Sequence, residues 1–330
     1  MVFGLSDSNP QRAPMRRRGA LPSRDAHGWA SRDEAIMGTA IRVELWSEDR
    51  RTAHAAIDAV IAEMHRIDRA MSPFKPDSEL SRLNRDAVAR PVTLGAELFD
   101  LIERSIEFSK LSDGAFDITY ASVGHLYDYR ARTQPSRAAL DEARAAIGWR
   151  NLILDRAERS VRYAREGVRI DLGGFAKGHA VDRSIAILER FGIAHAMVSA
   201  GGDSRVLGDR RGRPWSVAIR DPRRAGASVA VLPLEDTAIS TSGDYERYFE
   251  EDGVRHHHLI DPKTGTSPLH VQSVTILAPE GLAAEAHGKS VFVMGVERGL
   301  RLVESHPGVD AVIVDADGAL HHSSGFLQGG

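Results

Sequence analysis

Short segments in which apolar and polar residues alternate occur along most of the chain, and this pattern predicts β-strands. Ile41, Val43 and Leu45 alternate with charged residues, as is typical of a half-buried strand. Two short apolar segments around a polar turn, at residues 152–154 and 161–163, predict a hairpin. Further strands are predicted at residues 168–172, 196–199, 204–207, 215–219, 229–234, 274–277 and 311–314, with a last strand after the turn at 315–318.

Apolar residues three and four positions apart predict helices between these strands. The clearest helix carries Ile57, Val60, Ile61, Met64 and Ile67 on one face. Residues 71–84 contain two prolines and are interpreted as a loop. The other predicted helices cover residues 95–111, 131–147, 282–294 and 296–305, with one more beginning near residue 176. Strands outnumber crossover helices and short turns join many of them, so we predict an α+β fold with mixed, largely antiparallel sheets flanked by helices.

The chain divides into one large domain and two tails. Residues 1–34 are rich in Arg, Ser, Pro and Gly and are interpreted as a disordered basic tail. Residues 35–324 form the domain, and residues 325–330 form a C-terminal tail. No apolar stretch follows Arg16-Arg17-Arg18, so no secretory signal is predicted, and no apolar run has the length of a membrane helix. The expected location is therefore cytoplasmic.

Composition excludes several classes of function. The net charge is -3 and aromatic residues make up 6 % of the chain, which argues against a general nucleic-acid binder. The chain has no cysteine, so disulfides, lipidation of a cysteine, zinc–thiolate sites, iron–sulfur clusters and cysteine nucleophiles are excluded.

Residues 170–182 contain the most informative motif of the chain. The predicted strand ends in Asp171 and runs into Gly173-Gly174, and a helix then begins. A strand, a glycine turn and a helix N-terminus present N–H groups to an anion, and Lys177 adds a positive charge. The motif therefore suggests a phosphate-bearing ligand. The alternative is a tight turn whose glycines only allow close packing of the helix.

Further blocks follow the same pattern of turn-forming residues with a few polar groups. They comprise Met-Gly-Thr (37–39), Ser-Glu-Leu-Ser-Arg-Leu-Asn (78–84), Phe-Asp-Ile-Thr (116–119), Ala-Gly-Gly-Asp (200–203), Thr-Ser-Gly-Asp-Tyr (241–245) and His-Leu-Ile-Asp-Pro-Lys-Thr-Gly (258–265). With Asp-Leu-Gly-Gly-Phe-Ala-Lys-Gly (171–178), these blocks in this order resemble the ApbE family of flavin transferases. The resemblance covers residues 37–314.

The resemblance implies an ApbE-like (T-fold-like) fold and a substrate, FAD. Members transfer FMN from FAD through a phosphoester to a Ser or Thr hydroxyl of an acceptor protein, and AMP leaves. Others hydrolyse FAD to FMN and AMP. A non-catalytic FAD-binding module is the third alternative. The sequence identifies no acceptor and leaves open whether the chain forms a homodimer.

The resemblance also implies which residues form the site. The FAD site would be lined by Met37, Ser78, Glu79, Leu80, Asp117, Thr119, Asp171, Lys177 and His257. Lys177 and Asp171 are candidate catalytic residues. His257 and His258 both lie where the family places a functional histidine, and His257 is the preferred candidate for acid–base work. The alternatives are a surface metal tract or polar strand residues.

The family's magnesium site is altered in this chain. Family members hold Mg²⁺ with an Asp and a Thr four residues apart on a helix, together with a backbone carbonyl that corresponds to Gly174. Here Glu285 and Lys289 occupy the two helix positions, and a protonated lysine cannot be a ligand. Lys289 could replace the ion, Mg²⁺ could bind in a shifted place through Glu285, or transfer could be lost. The first and third outcomes are favoured. A Glu285–Lys289 salt bridge is a further alternative.

Overall fold

The structure, a computed structural model, describes residues 28–327. Its helices are α1 (Arg50–Met71), α2 (Glu79–Asp86), α3 (Ala96–Leu111), α4 (Ala121–Gly124), α5 (Arg137–Arg144), α6 (Ala176–Arg190), α7 (Gly281–Met294) and α8 (Val296–Glu304). Its strands are β1 (Trp29–Ile36), β2 (Thr39–Trp46), β3 (Val92–Thr93), β4 (Leu152–Asp155), β5 (Ser160–Tyr163), β6 (Ala196–Ala200), β7 (Asp203–Leu207), β8 (Trp215–Arg220), β9 (Ser228–Leu234), β10 (Ala238–Gly243), β11 (Tyr248–Glu251), β12 (Val254–His257), β13 (Val271–Ala278), β14 (Asp310–Asp315) and β15 (Leu320–His322).

An eight-stranded sheet organises the domain. Its strand order is β1-β2-β6-β7-β10-β13-β14-β15, and each neighbouring pair is antiparallel. Three small antiparallel sheets accompany it: β3-β5-β4, β8-β9 and β11-β12. The prediction of an α+β fold with largely antiparallel sheets is confirmed.

Helices cover one face of the large sheet, and the β8-β9 ribbon covers the other. Helices α1, α6 and α7 pack on one another, and their apolar sides meet alternate residues of the strands, such as Val43 and Val198. Residues of the opposite parity, such as Val206 and Ile239, face Trp215 and Leu232 of the ribbon. Because side chains alternate across a strand, both faces of the central strands are buried. Helices α6 and α7 are thereby fixed side by side, and both carry site residues.

The strand β1 corrects the predicted boundary of the N-terminal tail. Residues 29–34, which were assigned to the tail, pair in register with β2. β1 is an edge strand, and its charged residues are paired: Arg32 with Asp58 at 2.6 Å and Asp33 with Arg42 at 2.9 Å. Charge on an edge strand hides its apolar alternation. The rest of the predicted tail, residues 1–27, lies outside the described residues.

At the other end, the boundary falls inside a short turn. Ser324–Leu327 form a turn of 3-10 helix, so the predicted tail at 325–330 begins within it. Residues 328–330 lie outside the described part of the chain.

Two further predictions of local structure are corrected. Residues 71–84 are not a loop throughout, because α2 begins at Glu79. The Ser78 hydroxyl caps it by accepting a hydrogen bond from the Ser81 amide at 2.9 Å, which satisfies a donor of the first turn. The helix predicted over residues 131–147 is confined to α5.

Among residues 28–327, no helix combines the length and the apolar character that a bilayer crossing requires. Helix α7 has 14 residues, and it buries the acidic residue Glu285 together with apolar residues.

Glu97 ties three helices together and supplies a test of acid stability. At the start of α3, its carboxylate binds Arg66 of α1 at 2.7 Å and the Nε2 atom of His179 of α6 at 2.8 Å. The His179 hydrogen bond and the Arg66 contacts lower the pKa of Glu97 to about 2, against the opposing effect of burial. A carboxyl group with a lowered pKa stabilises the fold above its unfolded pKa and loses that contribution as the pH falls towards 2.

We therefore expect Glu97→Gln to reduce the free energy of unfolding at pH 7 by up to about 3 kcal/mol. The difference from wild type should shrink between pH 5 and pH 2, measured by urea unfolding at each pH. The matched control is Glu297→Gln, which removes an exposed partner of Arg301 and should change little. An equal loss for Glu97→Gln at pH 7 and pH 2 would contradict the assignment.

Candidate functional site

The segment before the glycine turn is extended but belongs to no sheet. Residues 168–172, predicted as a strand, make no ladder. Side chains hold them instead: the Asn84 side chain pairs with both the Ile170 amide, at 2.8 Å, and its carbonyl, at 2.9 Å. The Ser122 hydroxyl accepts from the Arg169 amide at 2.9 Å, and the Asp171 amide donates to the Ile118 carbonyl at 3.0 Å. Helix α2 and the 118–122 region therefore position Asp171.

Asp171 shapes the turn that follows. Its Oδ1 atom accepts a hydrogen bond from the Gly173 amide at 2.6 Å. Burial raises the pKa of Asp171, although this bond and the charge of Arg247 oppose the shift. The carboxylate and the Tyr120 hydroxyl lie on the same side of Gly173. A Cβ added to Gly173 would be 3.1 Å from the Asp171 Oδ1 atom and 3.8 Å from the Tyr120 hydroxyl oxygen. Asp171 therefore orients the turn in this structure.

The last glycine of the motif is required for packing. A Cβ on Gly178 would lie 2.3 Å from the Gly281 carbonyl oxygen, where α6 crosses the start of α7. The Gly178 amide also donates to the Oε2 atom of Glu285 at 2.8 Å. Gly178 therefore serves close packing, which was the alternative interpretation of the motif's glycines. The same helix crossing places Lys177 within hydrogen-bond distance of Glu285.

We expect Gly178→Ala to lower the free energy of unfolding by about 1–3 kcal/mol, the usual cost of overpacking a closed contact. The matched control is Gly95→Ala, where the added Cβ would meet Glu79 at 3.5 Å, an ordinary contact distance. Chemical unfolding of both variants measures the effect. A Gly178→Ala protein as stable as the control would show that the helices can separate without cost.

Lys177 is paired with two buried carboxylates. Its Nζ atom contacts Asp203 and donates to the Oε1 atom of Glu285 at 2.8 Å. Asp203 is 2 % and Glu285 0 % exposed. Burial alone would lower the pKa of Lys177, but the charges of Asp203 and Glu285 outweigh it and raise the pKa. The remaining Asp203 oxygen accepts from the Ser240 hydroxyl at 2.5 Å.

Lys289 lies on the same helix as Glu285 but has a different partner. Its Nζ atom donates to the Ser242 hydroxyl at 2.8 Å, and its Cγ would be 3.2 Å from a Cβ on Gly174. Burial, and then the charge of Lys177, lower the pKa of Lys289. The Glu285–Lys289 salt bridge that the spacing suggested is wrong, because Glu285 pairs with Lys177. We call Lys177, Asp203, Glu285 and Lys289 the lysine cluster.

The two candidate histidines face different surroundings. The His257 ring is buried, and its Nε2 atom pairs with the Pro268 carbonyl at 2.9 Å. Burial lowers the pKa of His257. The next residue, His258, is under the influence of the lysine cluster: burial, and then the charge of Lys289, lower its pKa to about 3. Its buried Nδ1 atom has no partner among the described residues.

The two histidines thus differ in their contacts, although the Nδ1 atom of each is buried without a partner among the described residues. His257, which the sequence favours, is bonded within the 254–268 region, and the charges of Lys289 and Lys177 act on His258. Successive residues of an extended chain point to opposite sides, so only one of two adjacent histidines can face the site.

Met37 lies in the tight turn between β1 and β2. Both Met37 and Gly38 have positive φ, 54° and 70°, as a two-residue hairpin turn requires. A Cβ on Gly38 would be 3.7 Å from a terminal nitrogen of Arg247. The charge of Arg247 also acts on Asp171 and on His258. Arg247 thus connects this turn electrostatically with Asp171 and His258, and neither it nor Tyr120 was singled out from the sequence.

The predicted residues of the 78–80 block make local contacts. Ser78 caps α2, and Leu80 is fully buried in the core. The Oε1 atom of Glu79 accepts from the Gly95 amide at 2.6 Å. In this structure these three residues shape α2 and its neighbour α3, and Asn84 connects their helix to the segment that carries Asp171.

Asp117 and Thr119 close a second loop. The Asp117 carboxylate accepts from the Thr119 hydroxyl at 2.6 Å and from the Trp149 amide at 2.7 Å. The Thr119 hydroxyl also accepts from the Gly148 amide at 2.7 Å. Burial raises the pKa of Asp117 despite these hydrogen bonds. Asp117 borders a cavity of about 660 Å³ whose other lining includes Lys110, Arg144, Trp149, Arg150 and Lys263.

The residues present do not fit a divalent cation beside Gly174. Both oxygens of Glu285 are already engaged, one by Lys177 and the other by the Gly178 amide. The Lys289 side chain lies against Gly174 with an ammonium group, which offers no lone pair. Across residues 28–327, no three His, Asp or Glu side chains are grouped as metal ligands. The alternative of Mg²⁺ shifted towards Glu285 is therefore not supported by the donor set.

The fold and the site define a class: an α+β protein with a buried cluster of lysines and carboxylates beside a glycine turn at a helix N-terminus. The chain belongs to the ApbE family, whose family model matches residues 37–313.

Its relatives carry one activity in their names. The chain is 34% identical to the FAD:protein FMN transferase of Treponema pallidum, over 90% of this chain and 88% of that protein. It is 33% identical to the FAD:protein FMN transferase of Haemophilus influenzae, over 85% of each.

Solved structures agree with these relatives. The ApbE protein of Thermotoga maritima superposes with a TM-score of 0.85 and 34% identity, covering 91% of this chain and 98% of that one. The flavin transferase ApbE of Vibrio cholerae gives a TM-score of 0.80 and 29% identity, covering 91% and 99%.

Proposed function

We propose that this protein transfers the FMN moiety of FAD to a Ser or Thr hydroxyl of an acceptor protein and releases AMP. The observation that carries the proposal is that Lys289 lies against Gly174 of the turn, that Lys177 stands on the helix that follows it, and that the charges of both lysines act on His258. The names of the relatives give the substrate and the kind of acceptor. The acceptor itself is defined only by its hydroxyl group.

The reaction exchanges a phosphoanhydride bond for a phosphoester bond. The acceptor oxygen attacks the phosphorus on the FMN side of the pyrophosphate, and the bond from that phosphorus to the bridging oxygen breaks. The bridging oxygen and its electron pair leave with AMP. The hydroxyl proton must be removed as the new P–O bond forms, so the site needs a base close to the attacking oxygen.

His258 is the group that we assign to the proton. Its imidazole is neutral at pH 7, because burial and Lys289 hold its pKa far below that value. The unpartnered Nδ1 atom leaves a lone pair or a proton for use in the reaction. Negative charge from a bound pyrophosphate would raise the pKa of the ring towards the working range of a base. His257 is tied to Pro268 and is assigned a structural role.

The positive groups position and neutralise the phosphates. Phosphoryl transfer depends mainly on positioning and on stabilising the charge of the non-bridging oxygens. Lys177 and Lys289 supply two ammonium groups near the turn, and Arg247 supplies a guanidinium beside the Met37-Gly38 turn. Asp171 keeps the Gly173 amide in place. The Asp117-bordered cavity offers room for a further part of the dinucleotide.

The test incubates the purified protein with FAD and with soluble protein extract as a source of acceptors, followed by chromatography and a denaturing gel. AMP together with flavin fluorescence that stays on a protein band supports transfer, and mass spectrometry of the band should locate a phosphoester at Ser or Thr. AMP with free FMN and no labelled band would show hydrolysis instead. Unchanged FAD that remains bound would show a binding module, and no FAD binding would overturn the proposal altogether.

A further inference from the structure

We propose that the ammonium group of Lys289 takes the place of a divalent cation, so that the protein binds the pyrophosphate of FAD without a metal. The inference rests on the proposed function, since it concerns how the same site recognises its substrate. It would make this chain a flavin transferase in which a side chain supplies the charge that an ion would otherwise bring.

The first argument is position. The Lys289 side chain runs past the Gly173-Gly174 turn, where its Cγ would touch a Cβ on Gly174 at 3.2 Å. Its Nζ atom is anchored at 2.8 Å to the Ser242 hydroxyl on the neighbouring strand β10. Because its stem and its Nζ atom are both held, Lys289 keeps its positive charge at a fixed position beside the turn. A bound cation would also place positive charge at a fixed position.

The second argument is the state of the carboxylates. An ion beside Gly174 would need Glu285, yet that carboxylate accepts from Lys177 and from the Gly178 amide. Asp203 is likewise used by Lys177 and Ser240. A cation on Glu285 would have to share that fully buried carboxylate with Lys177 and the Gly178 amide, or displace one of them. Rearranging a satisfied buried network in this way is unfavourable.

The third argument is charge balance. Lys177 touches two carboxylates, which offset its own charge. Lys289 touches a neutral hydroxyl, and no ion pair joins it to another described residue. Lys289 is therefore the cation of the cluster that makes no direct ion pair within the described residues, although the two carboxylates balance the two ammonium groups overall. An anion of the pyrophosphate type would meet that charge directly, and a charge-assisted hydrogen bond is the strong kind.

The experiment measures FAD affinity by the quenching of flavin fluorescence, in EDTA and in excess Mg²⁺. For wild type we expect less than about a twofold difference between the two conditions. Lys289→Thr should bind FAD at least about tenfold more weakly in EDTA, because a hydrogen bond to a charged group is lost. The matched control is Lys75→Thr, which removes a surface partner of Asp68 and should not alter affinity.

The double variant Glu285→Asp, Lys289→Thr tests whether a metal site can be restored. It should bind FAD at least about tenfold more tightly in Mg²⁺ than in EDTA, since the vacated space then holds two oxygen ligands in place of an ammonium group. A second readout needs no FAD and no variant. Manganese titration followed by electron paramagnetic resonance should show no tight site in the wild-type protein.

The outcomes separate this inference from the proposed function. FAD binding by wild type that collapses in EDTA, or a tight manganese site that FAD strengthens, would overturn the role of Lys289 and leave transferase activity standing. Absence of FAD binding in both conditions would overturn the proposed function instead. If Lys289→Thr does not fold, the wild-type EDTA comparison and the manganese titration still decide the question.

Discussion

Replacing His258 with alanine is expected to slow FMN transfer by about 10²- to 10⁴-fold, the usual contribution of a positioned acid–base group. The reason is that His258 combines a neutral ring with a buried Nδ1 atom that has no partner in the described structure. No group within residues 28–327 hydrogen-bonds to its ring, so the fold loses no such bond there. FAD affinity should therefore change much less than the rate. The measurement is single-turnover transfer with saturating FAD, alongside FAD binding by fluorescence.

The adjacent residue provides the control. His257→Ala removes the hydrogen bond to the Pro268 carbonyl and leaves that buried oxygen unpaired, which should reduce the free energy of unfolding by about 1–3 kcal/mol. Its loss of rate per folded molecule should be smaller than that of His258→Ala. If the two variants exchange these effects, with the rate lost at His257 and stability lost at His258, then the assignment of the histidines is wrong.

Replacing Lys177 with methionine should reduce the free energy of unfolding by about 3–5 kcal/mol, the range seen when one partner of a buried ion pair is removed. Asp203 and Glu285 would be left buried, close together and without their cation. The fold would respond by protonating one carboxyl group or by opening the α6–α7 contact. The loss should be larger above pH 6 than at pH 4, because protonation relieves the unpaired charge.

A triple variant separates stability from function. Lys177→Met combined with Asp203→Asn and Glu285→Gln removes the charges together and should recover most of the lost stability. FAD affinity should stay low, because the amides supply no positive charge. The surface control is Lys75→Met, with an expected effect under about 1 kcal/mol. If the single variant Lys177→Met is as stable as this control, the buried pairing does not hold the helices together.

The sequence predicted most strands because apolar and polar residues alternate along them, as at Ile41, Val43 and Leu45. It missed β10, which buries Ser240 and Ser242. Those hydroxyls are satisfied by Asp203 and Lys289, so polar residues occupy interior positions that a hydrophobic pattern cannot reveal. Strand β1 was missed for the opposite reason, because its charges face water and partners on an edge.

Some residues of the site could likewise be predicted from local sequence, and others depend on how distant segments pack. The glycine turn and Lys177 could be located from local chemistry, since their spacing carries the motif. The choice between His257 and His258 could not, because it depends on which way an extended segment turns as it leaves β12. The partner of Glu285 also depends on the crossing of α6 and α7, which brings Lys177 closer than the residue four positions along the same helix.

The attachment of residues 168–172 has a consequence for how the site can vary. The segment has no neighbouring strand to fix its register, and the paired contacts of Asn84 and Ser122 do so instead. Asn84 belongs to a helix that otherwise makes local contacts, and its own sequence neighbourhood lies far from the glycine turn. A change in α2 can therefore shift the turn by way of one amide side chain. The position of the glycine turn therefore depends on Asn84 of α2 as well as on the residues of the turn itself.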